Sequence, residues 1–131
     1  MPACQSGIVA ALQHGGERLD EVSPQHRSEI GRRLDGAVAG QVMFDAPSRG
    51  RYSTDASVYQ IMPLGVVVPK SLDDVVATMQ SAREEGVPVL PRGGGTSQCG
   101  QTVNHAIVLD LSKHFNKLIE FDSEAATAVV E

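Results

Sequence analysis

The most constraining feature of the sequence is a helical pattern that lies between two short apolar runs. Residues 64–68 (Leu-Gly-Val-Val-Val) end at Pro69, which is typical of a strand that is buried on both faces. Residues 87–90 (Val-Pro-Val-Leu) form the second run. Two strands joined by one helix form a parallel unit with a right-handed crossover. The sequence therefore predicts a β-α-β unit over residues 64–90.

The helix of this unit has clear start and end signals. Ser71 is a suitable N-cap, Asp73 and Asp74 place negative charge in the first turn, and Gly86 is a typical residue after a helix end. The spacing of the apolar residues predicts that the following residues form one apolar stripe: Leu72, Val75, Val76, Met79 and Ala82.

Residues 1–43 are predicted to form a helical N-terminal segment. Ser23 and Pro24 provide a helix start, apolar residues recur with helical spacing from Ile30 to Val38, and Gly40 is a suitable stop. Residues 44–63 lack a sustained period and are predicted to be an irregular connection.

The C-terminal part of the sequence is predicted to be rich in strands. Residues 106–111 are typical of a third strand, and residues 118–121 and 126–130 predict two more, joined by a turn at residues 122–124. The fold class expected is α/β (α+β), in which the β-α-β unit belongs to a small mixed sheet preceded by the helical segment.

Charge and cysteine content exclude several classes of protein. A net charge of −5 and a pI near 5.3 argue against a nucleic-acid partner, because such proteins usually carry a clustered basic surface. Two distant cysteines and the lack of a charged and apolar leader favour the cytoplasm, with peripheral attachment to the inner face of the membrane left open. The apolar run at residues 8–12 is too short for a transmembrane segment.

A glycine-rich stretch, residues 91–101, follows the second strand of the predicted unit. Three successive glycines allow positive φ angles and let the main chain approach a ligand closely, so that several N–H groups can face one anion. Thr96 and Ser97 add hydroxyl groups. Ligands of open α/β sheets bind at the carboxyl ends of strands, which is where this loop lies. Because its donors are mostly main-chain N–H groups, the loop is predicted to bind a diphosphate.

Two other phosphate-binding loops fit less well. The spacing of Gly95 and Gly100 is that of a Walker loop, but Gln101 replaces the lysine and a strand follows in place of a helix. The dinucleotide fingerprint of a Rossmann unit fails because Gln98 stands where the third glycine belongs. These differences argue against nucleotide hydrolysis and against a Rossmann-type site.

The joint pattern resembles the first FAD-binding subdomain of the vanillyl-alcohol oxidase and para-cresol methylhydroxylase superfamily. Within it, the sequence is most similar to FAD-linked D-lactate dehydrogenases and glycolate oxidase flavin subunits. The resemblance runs from about Phe44 to Glu131. It rests on residues 54–59 (Thr-Asp-Ala-Ser-Val-Tyr), 66–71 (Val-Val-Val-Pro-Lys-Ser), 86–89 (Gly-Val-Pro-Val), 91–97 (Pro-Arg-Gly-Gly-Gly-Thr-Ser) and 107–112 (Ile-Val-Leu-Asp-Leu-Ser).

The resemblance implies FAD as the cofactor and a set of residues that bind it. Those residues are Arg92, Gly93, Gly94, Gly95, Thr96 and Ser97 at the pyrophosphate, with Gly100 and Gln101 beside the flavin. Members with covalent flavin carry a histidine at the position of Thr96, so the resemblance implies non-covalent FAD here. It also implies hydride transfer from a small 2-hydroxy acid, such as D-lactate or glycolate, to the flavin.

In that superfamily a second FAD subdomain and a substrate domain follow. Residues 44–131 are therefore expected to be the N-terminal part of the FAD-binding domain, in a truncated chain that is inactive alone, binds FAD weakly or not at all, and self-associates. The substrate, the electron acceptor and the oligomeric state stay open. No catalytic residue and no metal site are predicted, since the histidines lack metal-ligand spacing. The alternative function is a non-catalytic nucleotide- or anion-binding interaction module.

Overall fold

The computed structural model describes residues 22–131, and the part of the predicted helical segment before Val22 lies outside them. The described helices and strands, in chain order, are α1 (Pro24–Ala37), β1 (Gln41–Met43), α2 (Ala46–Arg51), β2 (Gly65–Val68), α3 (Leu72–Glu84), β3 (Val89–Arg92), β4 (Ile107–Asp110), β5 (Leu118–Asp122) and β6 (Thr127–Val130).

The main sheet has four strands in the order β1-β2-β4-β3 and is mixed, as predicted. Strands β2 and β3 both pair with β4 in parallel, and β1 pairs with β2 in the antiparallel direction. The strands of the predicted β-α-β unit are therefore parallel, but β4 lies between them. Every residue of β2 and β4 is buried, whereas β1 and β3 are less covered, which is the pattern expected of central and edge strands.

Helix α1 begins as the sequence predicts. The side chain of Ser23 accepts a hydrogen bond from the main-chain N–H of His26 at 3.2 Å and so caps the helix. Ile30 and Leu34 are buried against the sheet, and the predicted stop at Gly40 lies just beyond the end of α1. This helix covers one face of the sheet together with α3.

Two predictions for the segment after α1 are wrong. Residues 41–43 are not helical, because they form β1 and use their main-chain groups to pair with β2. Residues 44–63 are not wholly irregular, because α2 lies within them. Asp45 caps α2 by accepting a hydrogen bond from the Ser48 N–H at 2.8 Å, and Pro47 lies in its first turn, where no N–H partner is needed.

The apolar stripe predicted for α3 is only in part the face that this helix buries, since Ala82 is buried and Val75 packs against the core, but the other three residues are exposed. Leu72, Val76 and Met79 are 64%, 50% and 51% exposed, respectively. The buried residues are Asp74, Thr78, Ser81 and Ala82. The carboxylate of Asp74 sets this orientation, because it accepts hydrogen bonds from the main-chain N–H groups of Ala39 and Lys70, each at 2.8 Å. The predicted cap at Ser71 and the helix end before Gly86 are confirmed.

Strands β5 and β6 form a separate two-stranded antiparallel hairpin, which confirms the predicted C-terminal pair. Every residue of both strands is exposed. The main sheet thus has its own core on both faces, while the hairpin has none. The glycine-rich stretch belongs to the main sheet, where it joins β3 to β4.

Candidate cofactor-binding site

The glycine-rich loop leaves the carboxyl end of β3, as predicted, and returns to the start of β4. Among its glycines, Gly95 and Gly100 have positive φ angles of 67° and 76°, whereas Gly93 and Gly94 do not. The chain therefore makes its left-handed turns at the third glycine of the triplet and at Gly100. Arg92 itself is the last residue of β3 and not part of the loop.

The first half of the loop presents main-chain donors that no other group of the described chain uses. Within residues 22–131, the N–H groups of residues 93–97 donate no hydrogen bond to the protein. A Cβ added at Gly93 would have no neighbour within 4 Å, and one added at Gly94 would lie 3.6 Å from Thr96 Cγ2. Gly93 and Gly94 are also exposed, so the main chain there is accessible to an anionic group such as a diphosphate.

The second half of the loop satisfies its own polar groups. The Ser97 hydroxyl donates to the side-chain oxygen of Gln101, and its oxygen accepts from the N–H groups of Cys99 and Gln101 at 3.4 and 3.3 Å. Ser97 and Gln101 therefore stabilise the turn in this state. Thr96 makes no such bond among the described residues, which leaves its hydroxyl available to a ligand.

Arg92 supports the loop from beneath. Its guanidinium donates to the main-chain oxygens of Tyr52 (3.2 Å), Thr54 (2.8 Å) and Thr102 (3.3 Å), and it lies 5.3 Å from the centroid of the Tyr52 ring. A Cβ at Gly95 would lie 2.5 Å from this guanidinium, so glycine is required there by close approach as well as by φ. The resemblance implied Arg92 as a cofactor ligand but did not reveal these three acceptors.

A second segment, residues 54–57, contacts both arms of the loop. The N–H of Ala56 donates to the Gly95 oxygen at 3.1 Å. The Asp55 carboxylate accepts from the N–H of Ser57 at 2.9 Å and from the Thr102 hydroxyl at 3.0 Å. The hydrogen bonds from Ser57, and then those from Thr102, lower the Asp55 pKa to about 2, so this group is ionised at neutral pH.

Two tyrosines flank this arrangement. Tyr52 donates its hydroxyl to Asp110 at 2.7 Å, and burial together with this bond raises the Tyr52 pKa to about 12. Tyr59 is 56% exposed and lies over Gly100, where an added Cβ would come within 2.7 Å of its ring.

Other groups near the loop are less informative. Cys99 is exposed and has a free thiol. Residues 22–131 hold no group of three or more histidine, cysteine or acidic side chains that could bind a metal. Over that same range, no helix is long and apolar enough to cross a membrane. A concavity of about 300 Å³, comparable with small ligand pockets, adjoins the loop and is lined in part by Pro91, Gly93, Leu111, Ser112 and Phe115.

The sheet, the loop at its edge and the unused amides define an α/β domain whose glycine-rich loop has main-chain donors without a protein partner. The sequence profile of the FAD-binding domain family matches residues 63–131, and the chain belongs to that family. Solved structures agree on the fold. 4-Ethylphenol oxidase from Gulosibacter chungangensis superposes with a TM-score of 0.68 at 22% identity over 86% of this chain and 23% of that one. The vanillyl-alcohol oxidase type of fold that the sequence predicted is confirmed.

Curated relatives are more similar in sequence. The chain is 43% identical to D-2-hydroxyglutarate dehydrogenase of Escherichia coli over 82 residues, which are 60% of this chain and 8% of the relative. It is 40% identical to glycolate oxidase subunit GlcD of Bacillus subtilis over 99 residues, which are 72% of this chain and 21% of the relative. The chain thus spans a small part of the length of these relatives.

Proposed function

We propose that this chain supplies the diphosphate-binding part of the FAD site in a flavin-dependent oxidoreductase that oxidises a 2-hydroxy acid. The observation that carries the proposal is the row of unused main-chain N–H groups at residues 93–97, at the edge of a sheet of the FAD-binding domain family. Because these donors belong to the backbone and have no protein partner, they suit phosphoryl oxygens better than an apolar ligand.

Each predicted ligand has a distinct task in this proposal. The amides of Gly93, Gly94 and Gly95 donate to the diphosphate, and the Thr96 hydroxyl adds one more donor. Arg92 acts from below by holding the loop, since its guanidinium already serves three main-chain oxygens. Ser97, Gly100 and Gln101 shape the turn that faces the flavin end. Bound FAD would supply the hydride acceptor for oxidation of the substrate, and Thr96, which is not a histidine, would leave it non-covalently held.

The substrate class rests on the relatives. Their names specify D-2-hydroxyglutarate, glycolate and D-lactate, which all carry a hydroxyl beside a carboxylate. Among the described residues, the geometry singles out no group that would bind the substrate carboxylate. We therefore assign to this chain the capture of the cofactor, and to the complete protein the oxidation of the substrate.

A pair of glycine variants tests the cradle. In the 131-residue chain, nuclear magnetic resonance titration with FAD should give weak binding, with shift changes confined to residues 93–101. Gly94→Ala should abolish these changes, because a methyl group beside the amides would hinder the diphosphate although it meets no protein atom closer than 3.6 Å. Gly36→Ala is the matched control, since a Cβ there has no neighbour within 4 Å and lies far along the chain, in α1.

Two outcomes would contradict the cradle. One is a set of shift changes centred outside residues 93–101, and the other is Gly94→Ala binding FAD as the unmodified chain does. For the substrate class, the complete protein should lose its oxidised-flavin absorbance on anaerobic addition of a 2-hydroxy acid. Binding of FAD without bleaching by any such acid would favour the non-catalytic nucleotide-binding alternative.

A further inference from the structure

We propose that Asp55 is a positioning residue for the glycine-rich loop, and that it holds the diphosphate-binding amides in place by fastening residues 54–57 to the far arm of the loop at Thr102. The inference rests on the proposed function, because it assigns a purpose to the order of that loop. Asp55 touches neither the open side of the loop nor its unused amides, so it acts through other residues.

The contacts form a bridge across the loop. Asp55 uses one carboxylate oxygen for the Ser57 N–H at 2.9 Å, and this bond fixes its side chain. Its other oxygen accepts from the hydroxyl and the N–H of Thr102 at 3.0 and 3.4 Å. The neighbouring N–H of Ala56 donates to the oxygen of Gly95 at 3.1 Å. One short segment therefore grips both the glycine triplet and the return arm.

Arg92 closes the same bridge from below. Its guanidinium joins the oxygen of Thr54, on the bridging segment, to the oxygen of Thr102, on the loop. The carboxylate of Asp55 and the guanidinium of Arg92 thus meet at one residue of the loop, Thr102, through different atoms. Two residues outside the loop, Asp55 and Arg92, therefore hold it in place.

The loop needs such external contacts. Glycine loses more conformational freedom on ordering than any other residue, and residues 93–97 gain no hydrogen bond from their own N–H groups. A binding loop that is ordered in advance avoids that entropy cost when the ligand arrives. The Asp55 bridge supplies this order without occupying the donors that the ligand uses.

The test compares two variants with a matched control. Asp55→Asn removes the charge while keeping the shape of the side chain, and Thr102→Val removes the hydroxyl that Asp55 binds. Thr54→Val makes the same change at a nearby residue. Within the described chain, the Thr54 hydroxyl makes no hydrogen bond, and the Thr54 carbonyl still accepts from Arg92 in this variant. Backbone order parameters of residues 93–97 and the affinity for inorganic pyrophosphate are measured in the 131-residue chain.

In the unmodified chain and in Thr54→Val, we expect order parameters near about 0.85 for these residues, as in rigid backbone. In Asp55→Asn and Thr102→Val, they should fall toward about 0.6. Pyrophosphate affinity should fall about tenfold in both, as expected for the loss of one hydrogen bond to a charged group. The denaturation midpoint of each variant shows whether the fold is retained.

Each other result overturns the positioning role. Unchanged order parameters would show that the bridge does not order the loop. A mobile loop with unchanged pyrophosphate affinity would show that its order does not serve binding. If the unmodified chain does not bind pyrophosphate, the proposed function is wrong and the positioning role falls with it. If only the result expected for the two variants is not found, the positioning role is wrong and the proposed function stands.

Discussion

The main sheet and the C-terminal hairpin differ in burial although both are built from apolar strands. In β2, Val66 and Val67 are fully buried, whereas in β6 Val129 and Val130 are 48% and 65% exposed. The difference comes from the elements around them. Helices α1 and α3 cover one face of the main sheet, and nothing in the described chain covers the hairpin. Apolar sequence therefore produces a core only where a second layer exists.

The same contrast has a thermodynamic consequence. A two-stranded hairpin without a packed face is only marginally stable in water, whereas a sheet with helices on it unfolds cooperatively. The exposed apolar residues of the hairpin are Leu118, Ile119, Phe121, Val129 and Val130. We infer that the free energy of unfolding of this chain comes from the sheet and its helices, and that the hairpin opens locally.

A matched pair of isoleucines gives the largest effect. Ile107 in β4 is 0% exposed and Ile119 in β5 is 63% exposed. Ile107→Ala should lower the free energy of unfolding by about 2–5 kcal/mol, because it removes buried methyl groups and leaves a cavity. Ile119→Ala should change it by less than about 0.5 kcal/mol, as is usual for surface positions. Urea denaturation followed by circular dichroism measures both.

Similar losses in the two isoleucine variants would break the comparison. They would mean that the hairpin is packed in solution, either on the rest of the chain or on a second copy. Sedimentation of the unmodified chain across concentration would separate these two cases, and a concentration-dependent mass would also bear out the predicted self-association.

A smaller effect concerns the edge of the main sheet beneath the loop. Tyr52 binds Asp110, the last residue of β4, and its pKa is raised to about 12 by burial and by that bond. Because the pKa is raised in the folded state, this stabilisation is complete below the ordinary tyrosine value near 10 and is lost as the pH rises through about 12. Tyr52→Phe should lower the free energy of unfolding by about 1 kcal/mol.

The titration can be isolated, since the chain has 2 tyrosines. In Tyr59→Phe, the remaining tyrosinate absorbance belongs to Tyr52 and should appear near pH 12. Its appearance near pH 10 would show that Tyr52 is neither buried nor bonded to Asp110. Tyr52→Phe should leave amide hydrogen exchange in the hairpin unchanged, because the described contacts of Tyr52 are with the main sheet region.

Much of the fold was predictable because its signals are local. The caps at Ser23 and Ser71 and the apolar runs of the strands depend on neighbours a few residues away. The position of β4 between β2 and β3 was not predicted, because strand order depends on contacts that are distant in sequence. The buried face of α3 was predicted only in part for a related reason, since Asp74 is held by the N–H of Ala39, a partner 35 residues away.

The candidate site was likewise predictable from local signals but not from distant contacts. The glycine triplet is a local signal, and it located the loop. The bridge that holds the loop was not visible, because Asp55 and Thr102 are 47 residues apart and Arg92 binds main-chain oxygens that carry no sequence signature. A carboxylate two residues before a serine does indicate a local turn, but it does not reveal a distant partner.

The smallest effect lies in the turn of the hairpin. Ala126 has a φ of 52°, and it is the non-glycine residue with positive φ among residues 22–131. This conformation costs an L-residue about 1–2 kcal/mol, and glycine avoids that cost but loses about 0.5–1 kcal/mol more chain entropy on ordering. Ala126→Gly should therefore stabilise the hairpin by about 0.5 kcal/mol and slow amide exchange in it about twofold.

Ala125→Gly is the matched control. Because Ala125 has no positive φ, glycine at this position relieves no strain and adds only the entropy cost. It should speed amide exchange in the hairpin, so the two variants should differ in sign at paired residues such as Phe121 and Ala128. Neither should move the urea midpoint of the main sheet. A shift of that midpoint in step with hairpin exchange would show that the two regions unfold together, and the distinction between a self-sufficient sheet and a locally opening hairpin would then be wrong.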